Sequence, residues 1–316
     1  MAPKYVGINT QIARNNLNSM VFLVGFPAII LGAVYLFLFL ITPENVYGDR
    51  MQAVNQQFVS AVPFVIIGVS IWFFIAYFFH NTMINAASGA RSLSRKENMR
   101  IYNLTENLCM SQGMKMPKIN IIEDPALNAF ASGLNDKTYT VTLTRGIINT
   151  LNDDELEGVI AHELMHIRNR DVRLLVVSII FVGIFSFLVQ MLFRNLLWGG
   201  MGRSNRRSDG RIIIIALVIA ALAYFLTMLF RFGLSRKREY LADAGAANMT
   251  RKPWALASAL RKISGNHNVS SIQSEDMKEM CIYYQPDKKM GFASSLAGLF
   301  ATHPPIKKRI DILEGF

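Results

Sequence analysis

The sequence predicts an integral membrane α-helical protein with four transmembrane helices and a mostly α, α+β domain that is split along the chain. Three observations predict it. Hydrophobic residues make up 52% of the 316 positions and charged residues only 17%. The apolar residues fall into four blocks, at 20–41, 58–79, 174–193 and 212–230, each free of charge and close to the twenty or so residues that cross a hydrocarbon core. Between and after these blocks the composition is that of a globular protein, with helical periodicity and short β-branched runs.

The block at 20–41 is too long for the apolar core of a cleaved signal peptide, and Thr42-Pro43-Glu44 does not resemble a small-residue cleavage site, so it is expected to remain as an anchor. Pro27 and Pro63 lie inside the first two blocks, where neighbouring helices can satisfy the backbone groups a proline frees. Lys4 and Arg14 precede the first block, Arg50 lies between the first and second, and Arg91, Arg95, Lys96 and Arg100 follow the second. Basic residues stay on the cytoplasmic side, which puts the N-terminus and the region after residue 79 in the cytoplasm. Cys109 and Cys281 fit that reducing compartment and form no disulfide framework.

The loop between the third and fourth blocks carries Arg194, Arg203, Arg206, Arg207 and Arg211, on the far side if both blocks cross. Either the basic excess elsewhere dominates, or this hairpin lies partly in the membrane. Both alternatives return the flanking segments to one side. The expected domains are a membrane hairpin at 1–80, a second at 172–230, and a discontinuous cytoplasmic domain of 81–171 and 231–316.

Within that domain, 118–123 and 139–143 read as strands, with 128–133 between them bounded by Pro125 and by Asn135-Asp136 turn chemistry. A small sheet should pack on the helix that follows. Asn152-Asp153-Asp154-Glu155 reads as a capping box, after which Leu156, Val159, Ile160, Leu164 and Ile167 make an apolar stripe. Pro253 opens a helix with Trp254, Leu256, Ala257, Leu260 and Ile263 on one side, and Pro305 opens another through Ile310 and Leu313. Residues 264–295 are polar and weakly periodic, and read as a mobile loop, with a lid or disorder equally open.

His162-Glu163-Leu164-Met165-His166 carries the chemistry. Residues four apart on a helix differ by about 40° in azimuth, so both imidazoles can face one ion while Glu163 lies beside it. A catalytic zinc site needs a third protein ligand and an open fourth position. Glu239 offers the ligand, and Asp243, again four residues on, can accept the outward N–H of a liganding histidine. The expectation is one Zn²⁺ per chain held by His162, His166 and Glu239, with zinc favoured over iron because hydrolysis needs a Lewis acid and no redox step. The net charge of +11 does not mark a nucleic-acid binder, since the basic residues flank apolar blocks; attraction to anionic lipid headgroups accounts for it better. Arg236-Lys237-Arg238 should hold the site against the membrane surface.

The run A-H-E-L-M-H-I-R-N-R-D at 161–171, S-R-K-R-E-Y-L-A-D at 235–243, T-H-P-P-I-K-K-R-I at 302–310 and N-A-F-A-S-G at 128–133 resemble, in order, the signature blocks of HtpX-type membrane zinc peptidases. The resemblance covers essentially the whole chain, including two spans before the catalytic region and two inside it. It implies a gluzincin-like endopeptidase of the bacterial inner membrane, multi-pass, acting on misfolded or damaged membrane proteins in quality control and stress response, and cleaving itself.

On that reading Glu163 is the general base and then the acid for the leaving amine. His303 is a weaker candidate for stabilising the developing oxyanion, the other reading being a loop histidine beside Pro304. Arg309 anchors the last helix or assists His303. Asn128, Ala129, Phe130 and Ala131 either present a sheet edge to an extended substrate or form an ordinary core strand. Two other functions stand beside the leading one. A prenyl-type processing protease is disfavoured by having only four spans, and a silent scaffold by the intact Glu163.

Overall fold

The structure, a computed structural model, describes residues 8–43, 49–198, 207–232, 237–272, 275–278, 280–283 and 304–316. In chain order its elements are α1 (Ile8–Ile41), α2 (Arg50–Ser88), β1 (Arg91–Ser92), α3 (Met99–Ser111), β2 (Lys118–Ile122), β3 (Ala129–Ser132), β4 (Thr140–Thr144), α4 (Arg145–Thr150), α5 (Asp153–Arg168) and α6 (Asp171–Trp198). They continue with α7 (Arg207–Phe232), α8 (Lys237–Thr250), α9 (Pro253–Gly265), α10 (Glu275–Lys278) and α11 (Ile306–Glu314). The chain forms two compact units, one of Met1–Leu17, Phe79–Val176 and Phe232–Phe316, the other of Asn18–Phe78 and Val177–Arg231.

The second unit is helical. Among the described residues two helices, Asn15–Ile41 and Arg50–Ser88, are long and apolar enough to cross a membrane, and Ile213–Phe225 is a shorter apolar stretch. That is fewer than the four expected from sequence. The most hydropathic window of α2 has none of its residues buried, and Phe64, Val59, Phe74 and Phe78 are each more than 60% exposed. Water does not tolerate a whole helix of exposed aromatic and branched side chains, so this surface suits lipid. Within the unit, Trp72 ties α2 to α6, donating from Nε1 to the Ile180 carbonyl at 3.1 Å and stacking on Phe187 with centroids 6.1 Å apart.

The first unit is an α+β domain. Its sheet runs β1-β2-β4-β3, with β2 and β4 parallel and the outer pairings antiparallel, in the register Ile119 to Val141 and Ala131 to Val141. Every residue of β3 and β4 is buried, because the sheet lies against α5. The capping box forms: Asn152 Oδ1 accepts from the Glu155 N–H at 2.9 Å, and Glu155 accepts from the Asn152 N–H at 3.0 Å. Glu155 also receives Lys262 Nζ and Ser258 Oγ, each at 2.7 Å, which fastens α5 to α9. Gly158 lets the two helices meet, since a Cβ there would stand 3.2 Å from the Leu256 backbone. Helices α8 and α11 complete the packing around α5 and α9.

Two differences from the sequence reading concern this unit. Residues 8–17, which the sequence division placed with the first membrane hairpin, group with the α+β domain, because buried Asn15 donates to the Asn169 carbonyl at 2.8 Å. The described part of 264–295 is packed rather than loose: Val269, Ile272, Met277, Met280, Cys281, Ile282 and Tyr283 are all under 9% exposed. These residues recur without a helical or strand period, so pattern alone does not reveal their burial.

Candidate metal centre

Helix α5 carries His162, Glu163 and His166, and α8 carries Glu239 and Asp243. The helical spacing turns each set to one side, and the close packing of α8 on α5 brings the sets together. Gly245 permits that packing, as the Met165 side chain fills the space where a Cβ would stand. The two Nε2 atoms of His162 and His166 are 3.1 Å apart. Glu239 Oε2 lies 3.7 Å from His162 Nε2, and Oε1 lies 3.5 Å from His166 Nε2.

Ligands about 2.0–2.1 Å from a tetrahedral ion stand about 3.3 Å from one another. The observed separations match that spacing without rearrangement, so the residues fit a cation of zinc size. Two ring nitrogens and a carboxylate converging in a buried site make a candidate three-ligand metal site.

The outward nitrogens are also engaged by carboxylates. His162 Nδ1 is 2.9 Å from Asp243 Oδ1, in a contact bent away from the ring N–H direction, and His166 Nδ1 is 3.1 Å from Asp171 Oδ2. The His166 contact favours the Nδ1–H tautomer, which leaves its Nε2 lone pair for a metal. Asp243 is in turn gripped by Arg309, whose Nε and Nη2 donate to its two oxygens at 2.8 and 2.7 Å. Arg309 Nη1 lies 3.4 Å from Glu239 Oε2 and donates to the Ile282 carbonyl at 2.9 Å. Sequence reasoning missed Asp171. Its signal was an acidic residue five positions past His166, at the end of the 161–171 run.

Burial sets the protonation chemistry of the metal-free site. Glu163 is 2% exposed; burial above all lifts its carboxyl to about 7, with His166 opposing and Glu239 adding to the rise. The Ala131 backbone N–H on β3 favours the ionised carboxyl, while Oε1 has no hydrogen-bond partner among the described residues. Burial pushes His162 down to about 4. For His166 burial acts in the same sense, but the Glu239 and Asp171 carboxylates carry it up to about 9. Burial disfavours the Arg309 charge, and Asp243 with Glu239 more than restores it. The buried Cys281 thiol is pushed up to about 12 by burial and then by Glu163, so it is no nucleophile at neutral pH.

Asn128, Ala129, Phe130 and Ala131 lie on or beside β3, the edge strand next to α5. Asn128 Nδ2 donates to the His267 and Tyr283 carbonyls, and the Ala129 carbonyl accepts from the Ile282 N–H at 2.8 Å. The outer side of β3 is therefore paired at Ala129 with the chain's own Ile282. His303 lies outside the described residues.

The model of peptidase family M48 matches residues 95–316. A protease HtpX homolog of Bacteroides fragilis is 56% identical over 99% of this chain and 100% of its own length. Homologs of the same name from Tropheryma whipplei and Listeria monocytogenes are 40% and 38% identical, over 76% and 74% of this chain and 80% and 79% of theirs. A crystal structure of S. mikatae Ste24p aligns with 95% of this chain and 67% of that one, at 18% identity and a TM-score of 0.49.

Proposed function

The chain belongs to peptidase family M48 and is a metallopeptidase, and from that premise we propose a membrane-embedded, zinc-dependent endopeptidase that cleaves misfolded or damaged membrane proteins. The observation that carries the reading is the meeting of His162, His166 and Glu239 at metal-ligand spacing, with Glu163 buried alongside and holding a free acceptor oxygen.

Zn²⁺ held by those three residues would supply Lewis-acid chemistry for peptide hydrolysis. Glu163 accepts the proton of the attacking water at Oε1 and passes it to the leaving amine. Asp171 holds the His166 tautomer, Asp243 lies against His162 Nδ1, and Arg309 neutralises the buried Asp243.

An extended substrate adds to β3 through backbone hydrogen bonds, which gives affinity with little sequence preference. At Ala129 it takes the place Ile282 holds. In this reading α6 and α7 cross the bilayer as α1 and α2 do, the catalytic unit lies on the cytoplasmic face of a bacterial inner membrane, and self-cleavage accompanies turnover. His303 remains a candidate for the oxyanion.

The test uses detergent-purified protein, stripped with chelator and reloaded with zinc, and compares wild type with Glu163→Gln on an unfolded casein-like substrate. Metal-dependent cleavage should fall by about 10²–10⁴-fold in the variant while zinc stays stoichiometric. Cleavage confined to peptides with a lipidated C-terminal cysteine would favour a prenyl-type processing enzyme instead. No cleavage of either substrate by zinc-loaded wild type would leave the scaffold reading.

A further inference from the structure

The turn after α5 is clamped by a pair of asparagines from the other end of the chain. Asn169 caps α5, Arg170 follows with φ at 60°, and Asp171 opens α6. A non-glycine residue in the left-handed region persists only where its surroundings over-determine it. The buried part of those surroundings is Asn15 on α1, while neighbouring Asn16 meets only the exposed Arg170 side chain. Asn15 Nδ2 donates to the Asn169 carbonyl at 2.8 Å and to Asp171 Oδ1 at 2.5 Å, spanning the left-handed residue with one amide. Arg170 Nη1 donates to Asn16 Oδ1 at 3.2 Å. Asn15, Asn169 and Asp171 are each no more than 3% exposed, so no solvent replaces these bonds if they are lost.

The two oxygens of Asp171 have separate partners. Oδ1 takes the Asn15 amide and Oδ2 faces His166 Nδ1 at 3.1 Å. We infer that Asn15 is a positioning residue of the metal centre: by fixing the Asp171 carboxylate it fixes the tautomer and ring angle of His166, and so sets how tightly the site holds its cation. The inference rests on the metallopeptidase reading of His162, His166 and Glu239. It assigns the first turns of α1 a role in the site, although they lie more than 140 residues upstream of it.

Docking of α1 is the competing role for Asn15, and the two separate experimentally. Full-length protein in detergent, in a Glu163→Gln background that prevents self-digestion, is titrated with Zn²⁺ against a chelator of known affinity. Co²⁺ absorption reports the ligand geometry. Removing the outer partner of a metal ligand weakens binding by about 10–100-fold, and Asn15→Leu, one step further out, should weaken it by about 10-fold and alter the Co²⁺ spectrum. Asn16→Ala, which loosens α1 without touching Asp171, should leave the affinity within about twofold of the parent by the same reasoning.

The decisive comparison is the double variant. If Asn15 acts through Asp171, Asn15→Leu adds nothing to Asp171→Ala. Equal losses in both backgrounds, an unchanged affinity in Asn15→Leu, or a matching loss in Asn16→Ala would each overturn the proposal. Should Asn15→Leu fail to fold, Asn15→Ser, which keeps one donor, is read in the same cycle. If His162→Ala and His166→Ala leave zinc binding intact, it is the metal-site reading that fails, not this step alone.

Discussion

Glu163 and His166 sit a few ångströms apart and both are pulled far from their ordinary pKa values, which makes the metal-free site a proton store. His166, raised to about 9 by Glu239 and Asp171 against the cost of burial, carries a proton at neutral pH that a cation must displace. A histidine ligand has to be deprotonated, so zinc affinity should rise with pH from neutrality until about 9 and then level off. Titration calorimetry at pH 7.5 in buffers of different ionisation enthalpy should show release of about one proton per zinc. A pH-independent affinity would mean that His166 is already neutral. Arg309 poses a different question, because it is wholly buried and its partner Asp243 is only 1% exposed. Arg309→Met leaves that carboxylate buried without its bidentate partner, at a cost of about 3–5 kcal/mol in a denaturant titration of zinc-free protein. Arg309→Lys keeps the charge but cannot make the paired Nε and Nη2 bonds, so it should recover only part of that loss.

Helix α5 connects the sheet, α8, α9 and the metal ligands, and its start is fixed by a residue with several partners. Glu155 caps the helix and holds Lys262 and Ser258; burial raises its carboxyl, and those hydrogen bonds bring it below the ordinary glutamate range. A group whose pKa is depressed by folding contributes stability above its unfolded pKa and loses it as pH falls through the folded one. Glu155→Gln should therefore cost about 1–3 kcal/mol at neutral pH. The cost should shrink below about pH 4, where the wild-type carboxyl also protonates. A constant difference across that range would show that the charge contributes nothing. The capping box and the i, i+4 pairs on α5 and α8 were legible in the sequence because helical geometry is local, and four residues always return to one face. The strands at 118–123 and 139–143 were legible as short β-branched runs, and the one at 128–133 only from the proline and turn residues that bound it. Asp171 was not, because the left-handed Arg170 that swings it back toward His166 belongs to no period. Nor was the docking of Ile282 on Ala129, which joins positions with no shared pattern.

The ligand set of the whole molecule is gathered from both sides of a long apolar insertion: α5 supplies the histidines, and Glu239 follows only after α6 and α7. From sequence this required only that the chain return to its starting side. It did not reveal that residues 8–17 join the same unit, since a single amide to Asn169 and Asp171 leaves no trace in composition. A cation held by His162, His166 and Glu239 would link α5 to α8, so its binding energy would be a folding energy for the unit that holds them. Zinc at a hundred times its dissociation constant should stabilise that unit by about 2.7 kcal/mol, and chelation should remove the increment. Hydrogen exchange in detergent resolves where the effect falls. Removing zinc should accelerate exchange in α5, α8 and α11, which pack on one another or share Arg309 with the site, and leave residues 18–41 and 58–78 unchanged. Equal acceleration in both sets would mean the metal governs the chain as a whole. No change in α8 would mean that Glu239 is held by packing alone and contributes little as a ligand.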